Sequence, residues 1–319
     1  MKESVFEVQG EDGLIRRGIL ALPDSPVATV VVLLPAGLKY HVGPHRQNVK
    51  LARRFASAGF AVLRVDPLGL GESDGVLGPA PARVLWRAVE DGAFIDDVLL
   101  ACQALQARFP GARLVVGGLC GGAITAQLAA AAPPHAIQGV ISIATAVTLS
   151  AREGEQRPPV SDALARHHMK GYLRKLVSKD AWLRIVRGKS DFRAIWGTIR
   201  SMVIRGIACR KPDGYPNENP RFMESFRALQ AAGIEHLLIF GTGDNRWVEF
   251  QAAVLQPHLN GVLDGKHYRV VTVANANHEI HFSPWQDQTA QFIGEWLDRH
   301  FPASTRQVVL PDSREQVVA

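Results

Sequence analysis

Residues 118–122 form the pentapeptide Gly-Leu-Cys-Gly-Gly, in which Gly-Leu precedes Cys120 and Gly-Gly follows it. The pentapeptide follows the apolar run 114–117 and precedes the helix-like stretch 123–132. A nucleophile in a Gly-x-nucleophile-x-Gly turn between a strand and a helix is presented at the end of the strand, where a substrate can reach it. Cys120 is therefore predicted to be a nucleophile that forms a covalent acyl intermediate as a thioester.

Two later residues could complete the machinery that such a nucleophile needs, a base to accept its proton and an acid to orient that base. Asp244 follows the strand-like run 236–240, and His278 follows the strand-like run 268–273. Taken singly, an aspartate after a strand is typical of a helix cap, and a loop histidine is typical of a surface. Together, their order along the chain and their positions after strands predict a Cys120-His278-Asp244 triad.

A negatively charged oxygen develops when a nucleophile attacks a carbonyl, and backbone amides typically stabilise it. The amide of Gly121 directly follows the predicted nucleophile at a helix N-terminus, where the helix dipole favours negative charge. A second amide is expected from the segment 36–39, which follows the first long apolar run. Leu38 is the predicted donor in that segment, with Gly37 and Lys39 as alternatives.

The remaining candidate motifs have structural interpretations. Residues 66–73 are glycine-rich, but they lack the Gly-Lys-Ser/Thr of a phosphate loop and the glycine spacing of a dinucleotide site. A turn beside the active site is predicted there, and no cofactor is expected. Cys102 and Cys209 are predicted to be packing residues, as free cysteines usually are. No Cys and His spacing matches a zinc site, so no metal is expected either.

The elements that must position these residues alternate along the chain. An opening hairpin is predicted, and after it come short apolar runs that predict buried strands and stretches with helical spacing. The hairpin covers 6–9 and 17–22, the later strands cover 28–34, 61–65, 114–117, 140–143, 236–240 and 268–273, and the helices cover 45–58, 83–109, 123–132, 222–232, 247–259 and 285–299. This alternation predicts an α/β fold with a doubly wound, mostly parallel sheet. Ligands of such sheets bind beyond the C-terminal ends of the strands.

Residues 150–220 interrupt the alternation and are predicted to form a helical cap over the strand ends. The core is then divided into residues 1–149 and 221–303, and residues 304–319 are predicted to be a flexible tail. Positions 151–220 contain 15 Lys and Arg against 7 Asp and Glu, whereas the rest of the chain contains 21 against 23. Such a basic cap could attract coenzyme A phosphates, an acidic carrier protein or an anionic substrate; a solvated lid is the alternative.

Composition limits the possible classes of protein. The chain has 319 residues, 47% of them hydrophobic, and a formal net charge of +6. No apolar run reaches the roughly 18–20 residues that span a bilayer, and the N-terminus lacks the apolar stretch of a signal peptide. A cytoplasmic location without a membrane span is therefore expected. Three widely spaced cysteines predict reduced thiols, and no nucleic-acid motif accompanies the basic charge, so no nucleic-acid partner is expected.

The turn 66–73, the elbow 118–122, Gly241-Thr242-Gly243-Asp244 and Asn277-His278 together resemble the α/β-hydrolase superfamily, over about residues 15–300. Within it, the stretches 40–47, 118–120 and 168–176 are similar to the exosortase A system-associated hydrolases (type 1) of exopolysaccharide-producing bacteria. That family has a Gly-Leu-Cys elbow, which implies that cysteine is the nucleophile here too. The chain differs from it in having Gly121-Gly122 where Asp-Ala is common, and Glu279-Ile280 where Thr-Phe follows the histidine.

The resemblance implies a hydrolase acting on an activated ester, a lactone or an acyl thioester, because cysteine elbows also resemble those of dienelactone hydrolases and polyhydroxyalkanoate synthases. The partner is then a small-molecule acyl substrate, either free or bound to coenzyme A or a carrier protein. Two alternatives stay open. One is an acyltransferase that passes the acyl group to an amine, alcohol or thiol in polysaccharide or specialised-metabolite biosynthesis. The other is a non-catalytic binding protein with the same fold. The oligomeric state is left open.

Overall fold

A computed structural model describes residues 1–150 and 217–303. Its eight strands form one sheet in the spatial order β1-β2-β4-β3-β5-β6-β7-β8. Strand β1 pairs antiparallel with β2, β2 pairs antiparallel with β4, and all the later pairings are parallel. The strands are β1 Lys2–Gln9, β2 Ile15–Leu22, β3 Thr29–Leu34, β4 Ala61–Val65, β5 Arg113–Leu119, β6 Gly139–Ile143, β7 Glu235–Gly241 and β8 Tyr268–Val273.

Helices connect the parallel strands and cover both faces of the sheet. In the described residues they are α1 Gln47–Ser57, α2 Ala82–Glu90, α3 Ile95–Arg108, α4 Gly121–Ala131, α5 Pro220–Ala232, α6 Asn245–Phe250, α7 Gln256–Leu259 and α8 Ser283–His300. A short 3₁₀ turn, Pro44–Arg46, precedes α1, and a π-helical segment, Gln251–Leu255, joins α6 to α7. The carboxyl ends of the parallel strands lie at one edge of the sheet, and the loops that follow these strands converge there.

The core lies on both sides of the central strands, as alternation along β3 illustrates. Val31 and Leu33 pack in the layer that contains α1 and α8, whereas Val30, Val32 and Leu34 pack in the layer that contains α3 and part of α4. Successive side chains of a strand point to opposite faces, so a strand covered by helices on both sides must be apolar throughout. The predicted α/β fold with a doubly wound, mostly parallel sheet is confirmed.

The prediction of one long helix over 83–109 is wrong, because the structure has two helices, α2 and α3, in this region. The chain turns at Gly92, whose φ of +94° lies in the range that glycine adopts without strain. A side chain at Gly92 would also bring its Cβ to 2.6 Å from the Ile95 side chain. Because of this turn, the Trp86 ring of α2 packs against Gly37, beside the carboxyl edge of the sheet.

The predicted helical cap, 150–220, lies outside the described residues except at its two ends, and the predicted tail, 304–319, lies outside them entirely. The proposed division of the core into 1–149 and 221–303 stays a prediction. Cys209 also lies outside the described residues. Within residues 1–150 and 217–303, no helix combines the length and apolar character needed to cross a bilayer.

Candidate active site

Cys120 lies in a sharp turn between β5, which ends at Leu119, and α4, which begins at Gly121. Its backbone angles, φ 54° and ψ −110°, belong to a sparsely populated region that costs about 1–3 kcal/mol and is held in place by the surrounding structure. The Cys120 amide donates a 2.8 Å hydrogen bond to the carbonyl of Ile143 at the end of β6. The strained turn therefore fixes the Cys120 side chain at the carboxyl edge of the sheet.

The glycines that follow Cys120 allow α4 to press directly on the loop after β3. A Cβ placed on Gly121 would lie 2.5 Å from the Gly37 Cα, and one placed on Gly122 would overlap the backbone carbonyl of Pro35. Such distances leave no room for any side chain at either position. This close approach brings the loop that contains Leu38 against the N-terminus of α4.

Substitution of Gly122 by alanine is expected to destabilise the protein. The added Cβ overlaps the Pro35 carbonyl, and this clash involves backbone that cannot rotate away. Overpacking of this kind costs about 1–3 kcal/mol of unfolding free energy. Urea denaturation of Gly122→Ala would measure it, with Gly78→Ala as the control because a Cβ there meets open space. Equal midpoints for the two variants would contradict the expectation.

The two predicted oxyanion donors lie at this contact. Among the described residues, the amides of Gly121 and Leu38 have no hydrogen-bond acceptor. By contrast, the alternatives considered for the second donor already donate within the loop, Gly37 to Pro35 at 2.8 Å and Lys39 to Ala36 at 3.4 Å. Both amides are free to donate hydrogen bonds to a negatively charged oxygen, and the one of Gly121 also lies at a helix N-terminus, where the dipole favours negative charge.

Asp244 follows β7 and has two roles at once. Its Oδ1 accepts a 3.1 Å hydrogen bond from the Arg246 amide, which caps the N-terminus of α6. Its Oδ2 accepts a 2.8 Å hydrogen bond from Nδ1 of His278. The carboxylate is only 5% exposed. The cap and the orientation of a histidine are thus compatible functions of one side chain, since each uses a different oxygen.

His278 lies in the loop after β8, and that loop is tied to the Asp244 loop by the Gly243 amide, which donates to the Ala276 carbonyl at 3.0 Å. Burial alone would lower the pKa of His278, but hydrogen bonds with Asp244 and Cys120 and the charges of both groups outweigh it and raise the pKa to about 10. The structure therefore joins His278 and Asp244 by a hydrogen bond, and it places both in loops at the strand edge where Cys120 lies.

The raised pKa of His278 predicts that stability falls as the pH rises. A histidine with a folded-state pKa of about 10 and an ordinary value of 6.5 binds its proton more tightly in the folded protein. Its contribution is complete below about pH 6.5 and is lost as the pH approaches 10. Urea unfolding of the native protein and of His278→Gln from pH 6 to 10 would measure this. The difference between their free energies of unfolding should become smaller as the pH rises. A difference that stays constant from pH 6 to 10 would contradict the prediction.

Three polar residues beside the predicted triad were not anticipated from the sequence. The Nη1 atom of Arg246 donates to Thr148 Oγ1 at 3.0 Å and to Glu249 Oε2 at 2.8 Å. The position of Arg246, two residues after Asp244 in the first turn of α6, was a signal that could have drawn attention to it. Thr148 and Glu249 gave no signal of their own, because they come from different segments that meet only in the folded chain.

A second histidine–aspartate pair lies in the glycine-rich turn after β4. Asp66 is fully buried, and its carboxylate accepts a 2.5 Å hydrogen bond from the His41 amide and lies 2.7 Å from His41 Nδ1. The Ser73 hydroxyl donates to the Asp66 carbonyl at 2.6 Å. These contacts hold the turn to the loop after β3. In the described ranges, no three His, Cys, Asp or Glu side chains are grouped so that they could hold a metal ion.

The parallel sheet, the elbow at Cys120 and the loops that carry Asp244 and His278 define an α/β-hydrolase. A family model described as serine aminopeptidase, S33, matches residues 25–190, and the chain belongs to this family. The prediction that the protein is a hydrolase is thereby confirmed. The family description refers to a serine enzyme, whereas this chain has Cys120 at the centre of its elbow. Among curated proteins, none matches the sequence.

Solved structures share the fold at low sequence identity. A dienelactone hydrolase from Anabaena variabilis is 17% identical with a TM-score of 0.57, covering 93% of this chain and 97% of that one. An α/β serine hydrolase without a lid from Xanthomonas campestris is 17% identical with a TM-score of 0.51, covering 95% and 97%. An esterase domain from Rhodothermus marinus is 15% identical with a TM-score of 0.51, covering 93% and 99%. These likenesses support the fold.

Proposed function

We propose that the protein is a Cys-His-Asp hydrolase that cleaves an activated ester, a lactone or an acyl thioester through an acyl-cysteine intermediate. The observation that carries this proposal is the 2.8 Å hydrogen bond between His278 and Asp244, at the strand edge where the Cys120 elbow lies. Nucleophile, base and orienting acid in such a relay are the components of covalent acyl transfer. Cys120 in a strained elbow supports the same assignment.

The first half-reaction begins with His278 protonated and Cys120 as the thiolate. The sulfur attacks the carbonyl carbon, a C–S bond forms, and the carbonyl electron pair moves to oxygen. The amides of Gly121 and Leu38 donate hydrogen bonds to this oxyanion. As the carbonyl re-forms, the bond to the leaving group breaks, and the leaving alkoxide or thiolate takes the proton of His278. The products of this step are an alcohol or thiol, a neutral imidazole and a thioester on Cys120.

Water completes the reaction. Neutral His278 accepts a proton from water while the water oxygen attacks the thioester carbonyl, and the oxyanion forms again at the same two amides. When it collapses, the C–S bond breaks and a carboxylic acid leaves. Cys120 returns as the thiolate beside protonated His278, so the starting state is restored. Asp244 stabilises the imidazolium charge at both ends of the cycle.

A trapping experiment tests the proposal. The protein is mixed with p-nitrophenyl acetate or a short acyl-CoA, quenched in acid within the first turnover and weighed intact. We expect one acyl group on Cys120 that neutral hydroxylamine removes, as it does a thioester. Cys120→Ala should acquire none. Sustained turnover with an acyl group on another residue, or equal turnover by both proteins, would overturn the proposed mechanism.

The likeness of residues 40–47 and 118–120 to the exosortase A system-associated hydrolases leads us to propose the same grouping for this chain. Its acyl substrate is then a small molecule, free or carried on coenzyme A or a carrier protein. Comparing free thioesters with acyl-CoA in the trapping experiment would show whether the phosphates contribute to binding, as the basic charge of residues 151–220 predicts.

A further inference from the structure

Arg246 lies next to the proposed catalytic residues without a role in the acyl transfer described above. Its amide donates to the Asp244 carboxylate, which caps α6. Its side chain extends to Thr148, which follows β6 a few residues beyond Ile143. The Ile143 carbonyl in turn holds the amide of Cys120. The start of α6 therefore supplies two groups. The Asp244 carboxylate orients His278, and the Arg246 guanidinium contacts the segment that follows β6, the strand whose Ile143 carbonyl supports the elbow.

The negative groups that surround Arg246 favour its charged form. Burial lowers the pKa of the guanidinium, but the negative charges of Glu249 and of a Cys120 thiolate outweigh this and raise the pKa above its ordinary value. The side chain is 24% exposed, so it is partly shielded from water yet reachable. A permanent cation in this position attracts anionic groups more strongly than one at an open surface.

Two carboxylates face Arg246 from the surrounding elements, Glu249 on its own helix and Glu90 at the end of α2. Glu249 bonds to Nη1, and Glu90 is engaged by the amide and hydroxyl of Ser150 at 2.6 and 2.9 Å. Among the described residues, all hydrogen bonds of the guanidinium come from Nη1. The edge formed by Nε and Nη2 is the one that binds a carboxylate with two parallel hydrogen bonds.

Building on the proposed acyl-cysteine chemistry, we propose that Arg246 binds a carboxylate carried by the substrate close to its reacting carbonyl. The preferred substrates are then esters, lactones or thioesters of acids that bear a second acidic group. A neutral acyl group placed against Arg246 would desolvate the cation without compensating it, which is unfavourable. Arg246 is in this sense a specificity-determining residue, and its contact with the substrate is separate from proton transfer by His278.

Alkylation of Cys120 tests this proposal without knowledge of the natural substrate. The thiolate sulfur displaces iodide from the methylene carbon of either iodoacetate, which carries a carboxylate, or iodoacetamide, its neutral analogue. Rates of alkylation at Cys120 are followed by peptide mass spectrometry. For each pair of reagents, the rate with the anionic reagent is divided by the rate with the neutral one, and this ratio is compared with the ratio for glutathione under the same conditions. The pair 3-bromopropionate and 3-bromopropionamide extends the reach by one methylene. A change in thiolate population affects both members of a pair equally, so the ratio reports recognition of the carboxylate.

We expect the native protein to prefer the anionic reagent of at least one pair more strongly than glutathione does. Arg246→Gln should lower that preference about tenfold, which is the effect of losing a charge-assisted hydrogen bond. Arg227→Gln is the matched control, because Arg227 is an exposed residue of α5. It should keep the native ratio. Equal ratios in the native protein and Arg246→Gln for both pairs would overturn the proposal.

A second variant guards against a folding defect in Arg246→Gln. Glu249→Gln leaves the guanidinium in place and removes the negative partner of Nη1, so the preference for the anionic reagent should increase. A decrease would contradict a carboxylate site at Arg246. If Cys120 reacts with none of the four reagents faster than an ordinary thiol, the proposed nucleophile itself is overturned, and this inference with it. Reactive Cys120 without preference overturns the inference alone.

Discussion

Cys120→Ala is expected to lower kcat/KM toward p-nitrophenyl acetate by about 10⁴- to 10⁶-fold, the range found when one member of a catalytic triad is removed. Without the sulfur no acyl-enzyme forms, and only the oxyanion donors and substrate binding continue to assist water. Initial rates for the native protein and the variant, measured with enough enzyme to detect residual turnover, give the ratio. Thermal unfolding of both would show that the elbow still folds.

Cys102→Ala is the matched control for the loss of a thiol. Cys102 is fully buried in α3, and burial raises its pKa to about 12, so its thiol is inert. This variant should retain native kcat/KM even if its unfolding midpoint falls. A loss of less than tenfold in Cys120→Ala, or comparable losses in the two variants, would show that the reaction does not proceed through Cys120.

Asp244→Asn is expected to reduce kcat by about 10³- to 10⁴-fold, comparable to removal of the orienting carboxylate from other triads. The amide cannot stabilise the imidazolium of His278, so the pKa of that ring should fall from its raised value. Asparagine caps a helix as well as aspartate does, and the cap of α6 through the Arg246 amide should therefore survive. The measurements are kcat as a function of pH and the unfolding midpoint of the variant.

Asp244→Ala separates the two functions of this residue. It removes both the cap and the orienting charge, so its activity should match that of Asp244→Asn while its stability falls by about a further 1 kcal/mol. If Asp244→Asn kept activity within tenfold of the native protein, the hydrogen bond to His278 would have no catalytic role. Equal stability of the two variants would contradict the capping function.

The local pattern of the sequence was sufficient to predict most of the elements. Valine-rich runs predicted the strands because a parallel strand is covered on both faces and has to be apolar along its length. The glycines around Cys120 predicted the elbow because the tight turn and the close contact of α4 with Pro35 and Gly37 exclude side chains. The single long helix over 83–109 was wrong because a glycine inside a helical pattern does not show whether its backbone will take a positive φ.

The sequence by itself determined the fold class, the elbow and the order of Cys120, Asp244 and His278, since these depend on neighbours along the chain and on strand ends that share one edge. Tertiary structure alone decided which amides stay available near the elbow and where the Arg246 side chain lies. Both depend on contacts between segments far apart in sequence, Gly37 with Gly121 and Arg246 with Thr148. Such contacts follow from packing of the whole sheet, and no local pattern of residue types specifies them.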